Sequence, residues 1–441
     1  MAMAGGRTIV AGAALLAAIF TMPTIAEADM VGHGGMIRSI AVSADGQYAL
    51  TASFDYSARL WRFDEQRELR SLDGHDGPVN GAIFSRHDKA IVTVGADGKV
   101  ILWDRRKAGP TVVMNGHHGR TMSVVETPDG KEILTAGWDG RLILWNLAQG
   151  AKIKDYDTGV PIVSAALGLG SDMFVAGGRD GIVRLLRRAD GVTIGRIRAH
   201  DIGLTQLAAS GDGRRLVTIG LDNAARVWDL ATLAAVSSYA PDPEVKPVSV
   251  VLSVDGSEML IGYVDGNLVH LDTVSGRVKR RLKVEDGPVW AVAFTPDGRF
   301  ALSAGISERV RVWHLESGDR ISVGEDDDGD RHAPWLESDH PGARLFRKCA
   351  NCHALTKDER QRAGPHFDGL FGRKAGGLAG YRYSKALREA RVVWSRKTIA
   401  ELFRQGPDRY VPGTKMPVQK VGDEASLEHL VDYLEQIVPA N

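Results

Sequence analysis

The only two cysteines of the chain stand in the run Cys349-Ala-Asn-Cys352-His353. Thiols three positions apart can add to the two vinyl groups of one haem while the next residue faces its iron, so the run carries the chemistry of covalent haem attachment. Two nearby cysteines also occur as a redox-active pair, as half of a zinc site or as a structural disulfide. No second cysteine pair completes a zinc cluster, and no strand–helix–strand pattern of a thiol oxidoreductase surrounds the motif. The adjacent His353 favours haem, with His353 as the proximal iron ligand. The motif makes the chain a candidate electron carrier.

The N-terminus reads as an address. Arg7 precedes an apolar run from Ile9 to Phe20, a break at Pro23 and the small-residue site Ala26-Glu27-Ala28, which together predict a cleaved secretory signal over residues 1–28. The apolar stretch is shorter than a bilayer span and is cut by Thr21 and Pro23, so no stable membrane insertion is expected. One arginine rather than two points to general secretion. A periplasmic location agrees with the haem reading, because c-type haem is attached outside the bacterial cytoplasm, and no spare thiol can mispair there.

Formal charge balances at +0, which argues against nucleic acid as a partner. The balance is uneven along the chain. Residues 316–339 carry nine Asp or Glu against two Arg, whereas 341–441 carry eighteen Lys or Arg against eleven acids. Residues 325–340 thus read as an acidic linker ahead of a basic domain. A calcium loop is excluded there, since placing Gly329 at the loop glycine puts Gly324 at the first ligand position and Trp335 at the last.

Residues 29–324 repeat. Trp61, Trp103, Trp145, Leu186, Trp228, Leu271 and Trp313 recur at spacings of 42, 42, 41, 42, 43 and 42. Each unit holds alternating apolar segments such as Val100-Ile-Leu-Trp103, divided by turns such as Asp97-Gly98, Asp139-Gly140, Asp180-Gly181 and Asp265-Gly266. Four short strands per unit at this period predict a radial all-β architecture.

These units resemble WD-repeat β-propellers. Gly74-His75 and Gly116-His117 open two units, and Trp103-Asp104 and Trp228-Asp229 close two others. Four units carry His, Thr, Asp and Trp at fixed offsets: His33, Thr51, Asp55, Trp61; His75, Thr93, Asp97, Trp103; His117, Thr135, Asp139, Trp145; His200, Thr218, Asp222, Trp228. The resemblance implies that these groups hydrogen-bond in series and are structural, not catalytic. The fourth, sixth and seventh units have Thr158, Pro243 and Glu285 in place of the histidine and are expected to rely on apolar packing. With only Asp29 to Gly32 ahead of the first unit, the seventh blade is expected to take its outer strand from Asp319–Val323, with no strand exchanged between the chain ends. In this family the residue before the turn aspartate faces the partner-binding surface. Here those positions are Phe54, Ala96, Trp138, Arg179, Leu221, Val264 and Ile306, and the surface near Phe54, Trp138 and Leu221 is a candidate contact for a protein partner or for the chain's own C-terminal domain.

Residues 341–441 resemble class I cytochromes c of the mitochondrial type. The likeness rests on Gly342-Ala-Arg-Leu-Phe346 leading into Cys349, on Gly364-Pro365, Gly369-Leu-Phe-Gly-Arg-Lys374, Tyr381-Arg-Tyr383-Ser384, Trp394 and Tyr410-Val-Pro-Gly-Thr-Lys-Met416, and on a closing amphipathic helix with Leu427, Leu430, Val431, Leu434 and Ile437. It implies one haem c, held covalently by Cys349 and Cys352, with His353 and Met416 as the iron ligands. It further implies that the Pro365 carbonyl accepts the other ring proton of His353, that Arg373, Tyr383 and Trp394 hydrogen-bond the propionates, and that Thr414 braces the methionine loop. Two departures stand out. His366 follows Gly-Pro, where it could serve as an alternative ligand or lie on the surface, and the tyrosine that contacts the methionine sulfur has no clear counterpart, Leu402 and Phe403 being the nearest candidates.

The expected whole is a multidomain protein, an all-β seven-bladed propeller followed by an all-α cytochrome c domain. It is read as an exported one-electron carrier whose propeller docks a partner or positions the haem, and whose basic haem domain favours acidic redox proteins. One rival is a periplasmic oxidoreductase with a second active centre in the propeller, where His270 and His314 lie outside the tetrads. Another is a haem-based redox sensor. A carrier is preferred over a catalyst because both axial positions are filled.

Overall fold

The computed structural model describes residues 29–321 and 338–438, apart from 86–87, 171, 241–243, 351, 358–363, 382, 415 and 417–418. The proposed signal, residues 1–28, and most of the acidic segment 325–340 lie outside the described residues.

The repeated apolar segments form seven antiparallel sheets, one per sequence unit. In the first, Ile37–Val42, Tyr48–Ser53, Ser57–Arg62 and Arg67–Asp73 pair in chain order. Strand character changes across a blade because its neighbours cover the inner strands on both faces. Ala90–Gly95 in the second blade is buried at all six positions, whereas the outer strand Arg67–Asp73 is largely in contact with solvent. The repeated tryptophan fills the wedge between blades: Trp61 packs on Leu302 and Val312 of the seventh, Trp103 on Leu50 and Leu60 of the first, and Trp145 on Val92 and Leu102 of the second. Truncating one of these to alanine would cost about 3–5 kcal/mol.

All four polar tetrads form. His117 Nδ1 lies 3.0 Å from the Asp139 carboxylate and Nε2 lies 2.9 Å from Thr135 Oγ1, which accepts the Trp145 indole N–H at 2.8 Å. The matching His200 distances are 2.7 Å to Asp222 and 3.0 Å to Thr218. The chain Trp→Thr→His→Asp needs a neutral imidazole, which donates from Nδ1 and accepts at Nε2.

Burial lowers the pKa of both His117 and His200 from the ordinary 6.5. Their folded values therefore lie below their unfolded ones, and as pH drops under 6.5 the unfolded chain takes up more protons. This contribution to stability is complete above about pH 6.5 and is lost as pH falls towards the folded values. We expect the melting temperature of the propeller transition to decline progressively over the interval below pH ~6.5. A flat profile across that interval would contradict the neutral-histidine tetrads.

The other three blades correct the expectation of purely apolar support. In the seventh, Trp313 donates to Ser303 Oγ at 2.8 Å, and Glu285, at the histidine position, accepts from Ser307 at 2.6 Å and pairs with Arg311 at 2.9 Å. In the fourth, Asp180 is held by Arg184 at 2.6 Å, and in the sixth His270 meets Glu258 at 2.8 Å. Leu186 and Leu271 do take the apolar place of tryptophan, at 1 % and 0 % exposure. A buried polar group without its family partner still has to find one.

Ring closure also differs from expectation. Met30–Val31 pairs antiparallel with Arg309–His314, with Met30 opposite Val310, while Arg320–Ile321 pairs with the same strand further along, with Arg320 opposite Trp313. The two chain ends thus share the outer edge of the seventh blade. Met30 is fully buried there, and Asp29 pairs with Arg320 at 2.7 Å. Two residues can anchor the ring because one supplies apolar burial and the other an ion pair.

The C-terminal part contains helices α1 (Pro341–Ala350), α2 (Lys385–Glu389), α3 (Arg396–Gln405), α4 (Pro407–Tyr410) and α5 (Glu424–Ile437). Ser395 caps α3 through a capping box with Thr398, and Gly406, at φ 96°, ends it. Asp423 caps α5 by accepting the Ser426 amide. Leu427, Leu430, Val431 and Leu434 of α5 are buried against Ala343 and Phe346 of α1, as the helical spacing predicts. Among the described residues no helix is long and apolar enough to cross a membrane.

Candidate haem site

Cys349 lies in the last turn of α1, and the chain leaves the helix through Cys352 and His353. A loop then returns over the imidazole. His353 Nδ1 donates to the Pro365 carbonyl at 2.7 Å, which leaves Nε2 as the nitrogen available to a metal. The ring stacks on Phe367, centroids 4.5 Å apart and planes within 14°. A Cβ on Gly364 would sit 2.4 Å from His353 Cε1, so only glycine lets the loop lie this close.

All nine residues singled out from the sequence line one cavity of about 1430 Å³: Cys349, Cys352, His353, Pro365, Arg373, Tyr383, Trp394, Thr414 and Met416. Leu402 and Phe403 line it as well, and both are buried. Among the described residues His366 is not part of the lining; its carbonyl accepts from Arg373 at 2.8 Å. It is placed as a loop residue and not as an alternative ligand.

Arg373 is built for an anion. Its Nη atoms donate to the Asp368 and His366 carbonyls at 3.0 and 2.8 Å, its Nε is buried without a partner, and it has no carboxylate at ion-pairing distance among the described residues. Burial lowers its pKa and raises that of Tyr383. Met416 is half-buried against the domain core; its amide donates to Thr414 Oγ1 at 3.2 Å, and the Thr414 amide bonds the Val411 carbonyl at 3.0 Å. Two thiols at one edge, an oriented imidazole, a thioether, apolar walls and an orphan guanidinium N–H fit a haem with its propionates.

Among the lining residues that were given no site role from the sequence, three aromatics stand out. Phe367 looks like any core aromatic until it is seen stacked on His353. Tyr381 and, from the propeller, Tyr56 complete the wall near Cys352. Phe54 lines the haem cavity, so of the two occupants considered for its surface it is the chain's own C-terminal domain that covers it. Trp138, Leu221 and Ile306 are not in that lining, and the last two are 48 % and 46 % exposed. The two histidines considered as propeller ligands, His270 and His314, have structural partners: His270 pairs with Glu258, and His314 meets Phe300 edge-on at 5.3 Å.

Fold and site together define a β-propeller protein that carries a covalently bound haem c. The family comparisons agree on both halves. A model of the WD domain, G-beta repeat, matches residues 27–62, 66–104, 109–146, 191–229 and 276–314, and a cytochrome c model matches 340–437. The unmatched stretches hold Leu186 and Leu271, where the repeat loses its tryptophan. Cytochrome c of Cochliobolus lunatus is 40 % identical over 96 residues, which is 22 % of this chain and 88 % of the relative. Those of Arabidopsis thaliana and Chlamydomonas reinhardtii are 38 % and 40 % identical over 96 residues, each covering 85 % of the relative. Through its C-terminal domain the chain belongs to the cytochrome c family. It is a haem protein of electron transfer joined to a WD-repeat propeller, the architecture of a protein-interaction module.

Proposed function

We propose that this chain is an exported, periplasmic one-electron carrier with a single haem, in which Cys349 and Cys352 form the thioethers, His353 and Met416 ligate the iron, and the propeller docks an acidic redox partner. The observation that carries the reading is the single cavity bringing both cysteines, His353 and Met416 together. When bound, the haem supplies a one-electron couple. The protein's part is to orient His353 through Pro365, to offer a neutral thioether that favours the reduced state, and to exclude water with apolar walls. Arg373, with help from Tyr383 and Trp394, offsets the propionate charge, and Thr414 holds the methionine loop. Export rests on the N-terminal pattern of residues 1–28. Haem content per mature chain, taken with the N-terminal sequence of the secreted protein, tests both claims: one haem and a start at Asp29 are expected, and a haem-free or unprocessed cytoplasmic chain would refute them.

The partner surface is supported by charge. Trp138 lies between Arg120 and Arg179, whose guanidinium carbons are 5.0 and 5.1 Å from its ring centroid, and neither arginine is ion-paired among the described residues. The Trp138 amide bonds the Arg120 carbonyl and the Leu221 amide the Gly203 carbonyl in equivalent turns, which sets these side chains on one face of the ring. An aromatic flanked by unpaired cations suits an acidic protein surface. We expect electron transfer to such a partner to slow with added salt, and the Arg120→Ala/Arg179→Ala double variant to show a flatter salt dependence and a roughly ten-fold lower association rate. Stopped-flow mixing over a range of ionic strength measures both, and an unchanged slope would exclude this face.

A further inference from the structure

The turns after the blade aspartates share a left-handed backbone residue. Gly98, Gly140, Gly181 and Gly266 hold it at φ 79°, 79°, 78° and 85°, and Asn223 at 63°, residue types that tolerate it at little cost. In the first blade the position belongs to Tyr56, at φ 70°. A bulky side chain keeps such a conformation only where its surroundings over-determine it, and such outliers concentrate at functional contacts. The seventh blade has a similar exception in Glu308, at φ 62°, and Glu308 is buried within the propeller.

Tyr56 serves a different neighbour. With Phe54 of the same turn it lines the haem cavity beside Cys352 and Tyr381, and among the described residues none of the other six turns reaches that cavity. Burial pushes the Tyr56 hydroxyl up to about 12, with Cys352 adding to the effect. Attachment of haem turns Cys352 into a neutral thioether and leaves the burial contribution in place. Burial likewise raises Tyr381, and Tyr56 is one of the neighbours that adds to it.

We propose that the first propeller blade is a built-in cap on the Cys352 edge of the haem site: Phe54 and Tyr56 close that edge, and an outside redox protein reaches it only when propeller and haem domain part. The proposal rests on the haem assignment of the cavity and adds a regulatory contact to it. It gives the tyrosine a reason to occupy a position where its sister turns use glycine. It also makes the propeller a gate on the haem as well as a docking platform.

The test uses the full-length haem-loaded protein and its Tyr56→Gly variant. Glycine is the residue four sister turns already use, so the variant should keep the turn and melt at the same temperature or higher. Amide hydrogen exchange over residues 352–357 and 377–381, and the rate of oxidation of the reduced protein by hexacyanoferrate(III), report on closure of the edge. We expect protection to fall and oxidation to accelerate several-fold in Tyr56→Gly, and in Phe54→Ala as a second variant outside the strained position. Equal protection and equal oxidation rates in all three proteins, each with a full complement of haem, would overturn the cap alone. Absence of haem from the wild-type protein would overturn the cap together with the assignment beneath it.

Discussion

Replacement of Met416 by alanine is expected to lower the reduction potential by a few tenths of a volt, within the roughly 0.8 V range over which axial ligands tune haem proteins. The thioether of Met416 is neutral and soft and so stabilises the reduced state relative to harder donors. The two lining residues nearest in type to a family contact of the sulfur, Leu402 and Phe403, are apolar and offer no donor, and His366 lies outside the cavity among the described residues. The loop around Met416 is held by the Thr414 hydroxyl and amide, so truncation should remove the sulfur without redirecting the backbone. The reduced variant should also bind carbon monoxide, whereas the wild-type protein should not. Potentiometric titration and carbon monoxide difference spectra decide the matter. An unaltered potential would reduce Met416 to a core residue, and ready carbon monoxide binding by the wild type would favour a sensor over a carrier.

Much of this arrangement was legible in the sequence because its chemistry fixes spacing. Haem attachment demands Cys349, Cys352 and His353 in one short run, and the blade period demands an aromatic or large apolar group every forty-odd residues. The tetrads were readable for the same reason, as four polar types recurring at constant offsets leave few other structural solutions. What escaped was decided by tertiary contact. Met30–Val31 is too short to show any periodicity, yet it joins the seventh blade because Met30 finds a fully buried place beside Val310. Glu285 was visible as a departure, but its partners Ser307 and Arg311 follow only once blade geometry places them together. Phe367 and Tyr56 are ordinary residues by type, and their roles come from what they face. The Gly-to-Tyr change at the first turn was the one local signal of the cap, and it gains meaning only from φ.

Replacement of Gly342 by alanine is expected to destabilise the haem domain by about 3 kcal/mol, at the upper end of the usual cost of overpacking. Helices α1 and α5 cross at this residue, and an added Cβ would lie 2.0 Å from the His429 carbonyl oxygen and 2.7 Å from Tyr433 Cβ. The obstacle is mostly backbone, so no rotamer change relieves it, and the helices must separate. Separation loosens the packing of Phe346, fully buried and edge-on to Tyr433 at 5.7 Å, and of His340, stacked on the same tyrosine at 5.3 Å. The gain in helix propensity over glycine, at most about 1 kcal/mol, does not offset this at the second residue of a helix. Because Cys349 lies in the last turn of α1, displacement of the helix also moves one attachment thiol relative to His353, and the yield of covalent haem should fall with stability. Arg344→Ala, at an exposed position of the same helix, should change stability by less than about 0.5 kcal/mol. Denaturant unfolding followed by haem absorbance compares the two. If Gly342→Ala proves as mild as Arg344→Ala, then the helix crossing is looser than its geometry indicates and cannot be what holds Cys349 in place.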